Sequence, residues 1–600
     1  MTDATTKKKS TSVVERQDLS DQVEKEIADS RTVRRWIVCS FLVALVIGLP
    51  IWYKTTEIYR APLPHQDITS WSNPNALDTV FTIHVELIAH AFKLEPFVAD
   101  ETSDSLNEMF QQTAYIANTT RVNLQFTTSI SALPKSNLKT LQDLVNNDDL
   151  DGETGVYSLH ITCGGIRDTV HIGQRRSIFL EVPPPICKQQ DKLTDVVIRV
   201  IAGVFSGEQK ALQKVFAAKT MLNEDHDSMR VVKFADEFQL VLSLFNGNPA
   251  DLLVSWDIDQ AVNAYLKGFL SRLAKVSTFT VSSQIQHYAG LPITPKPQTD
   301  DKGTWFAIET ESLKHFINSA EWNLGGHHGA FVHSSAGLLP YKRFTLIASF
   351  VSSSPPLNFV LYVPEASVIP LHILRPNGHK LETNAFLIPQ WGGITITNPP
   401  NNTTTTTINK ILKFTRDDLK PFLEIVVAQM RGLVGVSSVV IADQVLPPDT
   451  VITYATAPLY GITLFELDRL VRKRTLQCAS DAISTLKSLL TLVTDMGNMV
   501  VKDEIKILVE GSLSALKEVK EGIKHNHVDA SMSAARRATV LAEEAFFNPT
   551  MVSLLYFPTE HRYAVYMPLF VPVAVPFLAV IIKDFRVWME ARRAFKAKKD

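Results

Sequence analysis

Apolar and polar positions fall into three regimes along this chain. Residues 36–53 (WIVCSFLVALVIGLPIWY) and 563–582 (YAVYMPLFVPVAVPFLAVII) are apolar and carry no charge. Each is long enough to cross the ~30 Å hydrocarbon layer of a bilayer as a helix. Between them, residues 79–88, 121–130, 156–162 and 168–182 alternate or run apolar with β-branched side chains, which predicts strands. Residues 230–245, 276–285, 344–351, 358–363 and 392–397 have the same character, while 101–117, 191–218, 258–273 and 311–322 predict helices. Strands interleaved with helices imply an α/β region, a mixed sheet covered by helices. From about residue 415 the strand signal fades, and 417–433, 463–496, 501–524 and 528–547 read as long helices with polar faces.

Charge orients the two apolar stretches. Lys7, Lys8, Lys9, Arg31, Arg34 and Arg35 precede the first; Lys583, Arg586, Arg592, Arg593, Lys596, Lys598 and Lys599 follow the second. Basic residues stay on the cytosolic side of a membrane, so both ends are expected in the cytosol and everything between the spans on the luminal side. The expected organisation is a cytosolic tail (1–35), a first transmembrane helix (36–53), a luminal α/β region (54–414), a luminal helical region (415–562), a second transmembrane helix (563–582) and a cytosolic tail (583–600). Pro568, Pro572 and Pro576 recur on nearly one face of the second stretch. Each removes a backbone donor, and the carbonyls so freed need partners from neighbouring helices or water.

With 60 basic against 62 acidic side chains, nothing in the composition points to nucleic acid. Of four cysteines, Cys39 lies in the first apolar stretch, and Cys163 with Cys187 is a candidate disulfide. Asn118, Asn401 and Asn402 open N-x-[ST] glycosylation sequences, the last two within an NNTTTTT run that reads as an exposed loop.

Candidate chemistry is sparse. His327, His328 and His333 form the only local histidine cluster, but glycines flank them and adjacent histidines on regular backbone diverge, so no metal site is assigned. Asp148, Asp149 and Asp151 evoke a divalent-ion motif yet lack the remaining ligands of a calcium loop, and a solvated acidic turn accounts for them. Cys163 with His160 or His171 matches no local cysteine-protease signature. The chain has no Walker loop, G-x-S-x-G elbow or HExxH. No catalytic residue, cofactor or metal is therefore assigned.

Three strings are more specific than any periodicity: residues 49–64 (LPIWYKTTEIYRAPLP), 388–398 (IPQWGGITITN) and 555–576 (LYFPTEHRYAVYMPLFVPVAVP). They resemble the PIG-S family, accessory subunits of the glycosylphosphatidylinositol (GPI) transamidase, and the resemblance runs from the first apolar stretch to the last. It implies a role in an endoplasmic reticulum complex that removes a C-terminal signal from a proprotein and joins the new end to a glycolipid. It further implies a non-catalytic structural subunit whose partners are a separate caspase-like cysteine subunit, other membrane subunits and membrane lipid. The ending Lys596-Ala597-Lys598-Lys599-Asp600 looks like a K-x-K-x-x retrieval signal. The alternatives are a luminal membrane-bound transferase or hydrolase using Asp149 and Asp151 or the His327–His333 loop, and a receptor-like adhesion protein.

Overall fold

The computed structural model describes residues 59–115, 122–131, 155–217, 230–315, 354–399, 411–441, 445–496, 499–552 and 559–597, apart from 74, 91, 292, 301–302 and 458–459, together with parts of 32–54. It forms two compact units: Pro64–Ser488 with Leu508–Glu544, and Met1–Leu63 with Leu489–Ile507 and Ala545–Asp600.

The larger unit is built on two main sheets. The first contains β1 (Thr79–Ala89), β2 (Val122–Ile130), β3 (Val156–Cys163), β4 (Thr169–Ile172), β5 (Ser177–Val182) and a late strand, β16 (Val451–Tyr454), in the order β16-β4-β5-β3-β1-β2. Only β4 and β5 pair antiparallel, as a hairpin. The second contains β6 (Glu237–Asn246), β8 (Thr278–His287), β11 (Pro356–Val363), β13 (Ala385–Ile388) and β14 (Gly392–Ile396), in the order β13-β14-β11-β6-β8. Its strands are parallel except for β13. A small sheet of β9 (Lys296–Asp300), β10 (Gly303–Glu309) and β12 (Leu371–Leu374) covers part of the second sheet through Ile308, Leu371 and Ile373, which pack with Val360, Ile394 and Ile396. β7 (Leu253–Trp256) and β15 (Ile411–Phe414) make a separate parallel pair.

Burial on both faces explains the sequence of the central strands. β6 reads EFQLVLSLFN and β11 reads PLNFVLYV, near-continuous apolar runs after Glu237 that suit a parallel sheet covered on both sides. Helices α1 (Pro96–Tyr115) and α2 (Gln190–Ala217) accompany the first sheet. α2 buries Val197, Val200, Ile201 and Val204, the 3.6-residue stripe expected of a helix lying on a core. Aromatic rings run through this core, with Phe205 5.5 Å from Phe126 and 5.2 Å from Tyr157, and Tyr157 5.0 Å from Phe465.

Local chemistry sets the ends of the later helices. α3 (Lys420–Val434) begins with Pro421 in its first turn and ends at Gly435, whose φ of 81° allows the backbone amides of Gly435 and Val436 to return to Arg431 O. α4 (Leu464–Asp495) opens on a reciprocal capping box: Glu466 accepts from the Thr463 amide at 2.9 Å, and Thr463 Oγ1 accepts from the Glu466 amide at 3.3 Å. α5 (Asp503–Lys524) and α6 (Val528–Phe546) pack through small residues, with Ser512 Oγ donating to Ala538 O at 2.8 Å.

In the smaller unit the segment around Tyr59–Ala61 is fastened by hydrogen bonds. The Ala61 amide donates to Val501 O at 2.9 Å, Arg60 Nε to Met499 O at 3.1 Å, and Tyr59 OH to Asp503 Oδ1 at 2.9 Å. The last helix, α7 (Thr559–Ala597), meets the helical residues near 41 through Phe577 and Phe41, whose rings lie 5.5 Å apart.

One expectation requires correction. Among the described residues, no helix is long and apolar enough to cross a membrane, so the two predicted transmembrane helices, 36–53 and 563–582, are not supported. In α7 much of the length comes from the charged residues that follow Ile582, among them Lys583, Asp584, Arg586 and Glu590. The topology deduced from two spans, with both ends cytosolic, falls with them.

The WGG string has a packing explanation. Gly392 adopts φ 147°, and a Cβ there would lie 1.7 Å from Asn358 O on the neighbouring strand; one on Gly393 would lie 2.1 Å from Gln429 Oε1. Only glycine lets β14 approach β11 and α3 this closely. Gly392→Ala is expected to cost roughly 3 kcal/mol or more, since backbone must move to relieve the clash; urea unfolding of the purified variant against wild type measures this.

Candidate functional site

α4 carries Arg469, Arg472 and Arg474 within two turns, and all three are buried. Arg469 and Arg472 fall on the same helical stripe as Phe465 and Leu476, which faces the core. Burying a guanidinium is costly unless its donors find acceptors, and here the fold supplies several. Arg472 makes a two-pronged pair with Glu208 of α2, Nε to Oε1 at 2.5 Å and Nη2 to Oε2 at 3.0 Å, and donates again to Tyr157 OH at 3.0 Å. Tyr157 OH in turn donates to Asp468 Oδ2 at 2.9 Å, and Arg176 forks onto the same carboxylate at 2.5 and 2.7 Å. Arg469 donates to the carbonyls of Val204 (2.9 Å) and Ser438 (3.1 Å). Beside them Arg431 forks onto Glu466, at 2.9 and 2.6 Å.

The electrostatics follow from these partners. Burial alone would lower Arg472, but Glu208 and Tyr157 raise it well above its ordinary value. Burial pushes the Tyr157 phenol up, with Arg472 opposing. Burial works to raise Glu466, and the hydrogen bonds from Arg431 and Thr463 outweigh it, leaving this carboxylate below its ordinary range. Arg474 has less support: its Nη2 donates to Val434 O at 2.7 Å, and burial lowers it. It lines a cavity of about 10 Å³ with Val232, Phe238 and Phe279, room for about one water. The nearby Cys478 thiol is pushed up to about 12 by burial, which leaves it protonated and inert at neutral pH.

A second buried cluster lies at the carboxyl ends of β1 and β3. His90 Nε2 and His160 Nδ1 are 3.1 Å apart, and the His160 ring stacks on Phe179 at 5.1 Å. Burial, with His90 adding to it, lowers His160 to about 4, and burial lowers His90 too. Both rings are neutral at pH 7 and share one hydrogen bond. Close by, Cys163 at the end of β3 is disulfide-bonded to Cys187, with Cα atoms 6.3 Å apart.

The structure thus keeps Cys163 as a disulfide rather than a thiol beside His160. His171 is in β4, where Nδ1 lies 2.8 Å from Thr453 Oγ1 of β16. Asn118, Asn401, Asn402, Asp148, Asp149, Asp151, His327, His328, His333 and Lys598 lie outside the described residues; Lys596 is in α7. Among the described residues no cluster of His, Cys, Asp or Glu has the makings of a metal site. Sequence reasoning missed the arginine network. Its signal was present in the run DRLVRKR, where two basic residues occupy the apolar stripe of a helix.

The model of the family described as "Phosphatidylinositol-glycan biosynthesis class S protein" (PIG-S) matches residues 39–591. The chain is 30% identical to the GPI-anchor transamidase component PIGS of Bos taurus, over 92% of this chain and 94% of the relative. It is 29% identical to the protein of that name from Homo sapiens, with the same coverage. With the GPI transamidase component PIG-S homolog of Schizosaccharomyces pombe it shares 25% identity over 94% of this chain and 86% of the relative.

Two outcomes test these clusters. Arg472→Met removes the forked partner of the buried Glu208, leaving it only Arg469 Nε at 4.0 Å, and is expected to cost about 3–5 kcal/mol, much of it restored by Glu208→Leu in the same chain; urea titration reads both. The second concerns pH. Folding lowers His160 from its ordinary 6.5 to about 4, so its contribution is complete above pH 6.5 and is lost as pH falls from 6.5 towards 4, on the order of 3 kcal/mol in all. Melting temperature measured across that window should therefore fall with acidification, and His160→Gln should flatten the slope.

Proposed function

This chain belongs to the PIG-S family, and from that premise we propose that it serves the GPI transamidase as a structural subunit while the bond-making chemistry resides on another chain. It is a component of that complex and takes part in attaching GPI anchors to proteins. The observation that carries this is the extent of the match, from residue 39 to residue 591.

What supports a non-catalytic role is the state of the reactive groups. The Arg472–Glu208–Tyr157 cluster, the His90–His160 pair and Cys478 are all buried and engaged inside the fold. A nucleophile or general base must reach substrate, and these do not. The contribution of such a subunit is geometric: a peptide and a glycolipid must meet in one orientation, and holding the components together removes much of the entropic barrier. The catalytic partner in this reading is a caspase-like cysteine subunit. The Cys163–Cys187 disulfide suits an oxidising compartment, which supports placing the larger unit in the lumen of the endoplasmic reticulum, with Asn118, Asn401 and Asn402 as glycan acceptors.

The rival is an enzyme using Asp149 and Asp151 or His327, His328 and His333. Cells lacking this chain, complemented with a variant bearing alanine at all five positions, distinguish the two. Surface display of GPI-anchored proteins is expected within twofold of wild type, and the complex isolated from those cells should be unchanged in composition. Loss of turnover in an intact complex would establish the enzyme instead.

A further inference from the structure

Sheet edges attract other chains, because every second residue presents an unpaired N–H and C=O, and folded proteins close them with charges, prolines, short strands or covering groups. In the larger unit nearly every edge is closed in one of these ways. On β2, Gln209 accepts from the Leu124 amide and donates to Val122 O, and Asn107 does the same for both backbone groups of Phe126. On β12, Asn398 and Asn384 take the amides of Leu371 and Ile373. On β13, Gln429 donates to Phe386 O. β9 carries Lys296, Pro297 and Asp300, and β16, β7 and β15 are four residues each.

Among the described residues, β8 has none of these protections. It is ten residues long, TFTVSSQIQH, with no Lys, Arg, Asp, Glu or Pro. Thr278 donates its amide to Asp236 O at 2.9 Å, and the hydroxyls of Thr278, Thr280 and Ser282 reach the carbonyls of Asp236, Phe238 and Leu240. The even-numbered residues therefore face β6. In a parallel ladder the alternate residues turn their backbone the other way, so the amides and carbonyls of Phe279, Val281, Ser283 and Ile285 point off the sheet. Val281 and Ile285 are about 40% exposed (40% and 42%), and Tyr288, just beyond the strand, is 72% exposed.

We propose that β8 is a docking edge that receives an extended, uncharged strand from another subunit of the transamidase, adding a sixth strand to the second sheet. Main-chain hydrogen bonds would supply the affinity, and alternate partner side chains would rest on Val281 and Ile285. The absence of charge on β8 selects a partner strand of apolar and small polar residues, because a carboxylate or ammonium there would lose hydration without gaining a counter-ion. The partner's identity as a subunit rests on the functional reading above.

Hydrogen exchange of the full chain, alone and within the purified complex, tests the proposal. The amides of Phe279, Val281, Ser283 and Ile285 are expected to exchange at least tenfold more slowly in the complex. Equal exchange in both states overturns it, and protection of the isolated chain that grows with its concentration overturns it in favour of self-pairing. Ser283→Pro removes one outward N–H while sparing the ladder to β6. It is expected to lower recovery of the partner subunit severalfold at unchanged melting temperature, with Ser283→Thr as the tolerated control. If the wild-type chain enters no transamidase complex, the functional reading fails; if it enters and β8 stays unprotected, only the docking edge fails.

Discussion

The Arg472–Glu208 pair is the constraint around which the larger unit is arranged. A guanidinium taken out of water is costly unless its donors find acceptors, and Arg472 places three hydrogen bonds, two on a carboxylate from α2 and one on a phenol from β3. Three elements distant in sequence are therefore held in a single register. A hydrophobic contact between α2 and α4 would tolerate a slide of a residue or a rotation of some degrees; a forked ion pair with a third hydrogen bond does not. Such a network contributes less to stability than an apolar core of the same volume. Its effect here is to fix position, as suits a protein whose surface has to be presented to partners.

The network also shows why the helical region after residue 415 and the strands before it share one core. Arg431, Arg469 and Arg472 are all on helices of the later region, and they bind Glu466, Val204 O and Glu208. β16 extends the same link by joining the first sheet beside β4, as Thr453 meets His171.

How much of this was legible in the sequence depended on how strongly each segment repeats a period. Residues 79–88, 121–130, 191–218, 463–496 and 528–547 match observed elements within a few residues, because alternation or a 3.6-residue stripe is sustained in each. The predicted strand at 168–182 is a hairpin of two, since the turn at Gly173–Arg176 interrupts an otherwise continuous pattern. β9, β12, β13 and β16 were not legible: four or five residues each, with Pro297 in β9 and three of four positions exposed in β16, carry no period to count. The buried arginines were missed for the opposite reason. Arg469 and Arg472 are charged residues in a helix with a polar face, and only their partners, far away in sequence, make them interior.

The resemblance strings gain a physical meaning from the structure that periodicity could not give them. In WGGITITN the glycines permit a contact between backbones that any Cβ would block, and in YRAP the backbone and side chain of Arg60–Ala61 fasten the chain to the turn before α5. Such residues are constrained by a contact too close or too directional to vary, whereas an apolar core position accepts several side chains of similar volume. The amides that close the edges of β2, β12 and β13 belong with them. Gln209, Asn107, Asn384, Asn398 and Gln429 look like ordinary polar residues in sequence, yet each satisfies backbone groups that would otherwise invite another chain. A fold that, among the described residues, closes most of its edges with dedicated side chains and leaves its long uncharged edge open has made a distinction between surfaces. That distinction is the kind a subunit needs if it is to meet one partner and no others.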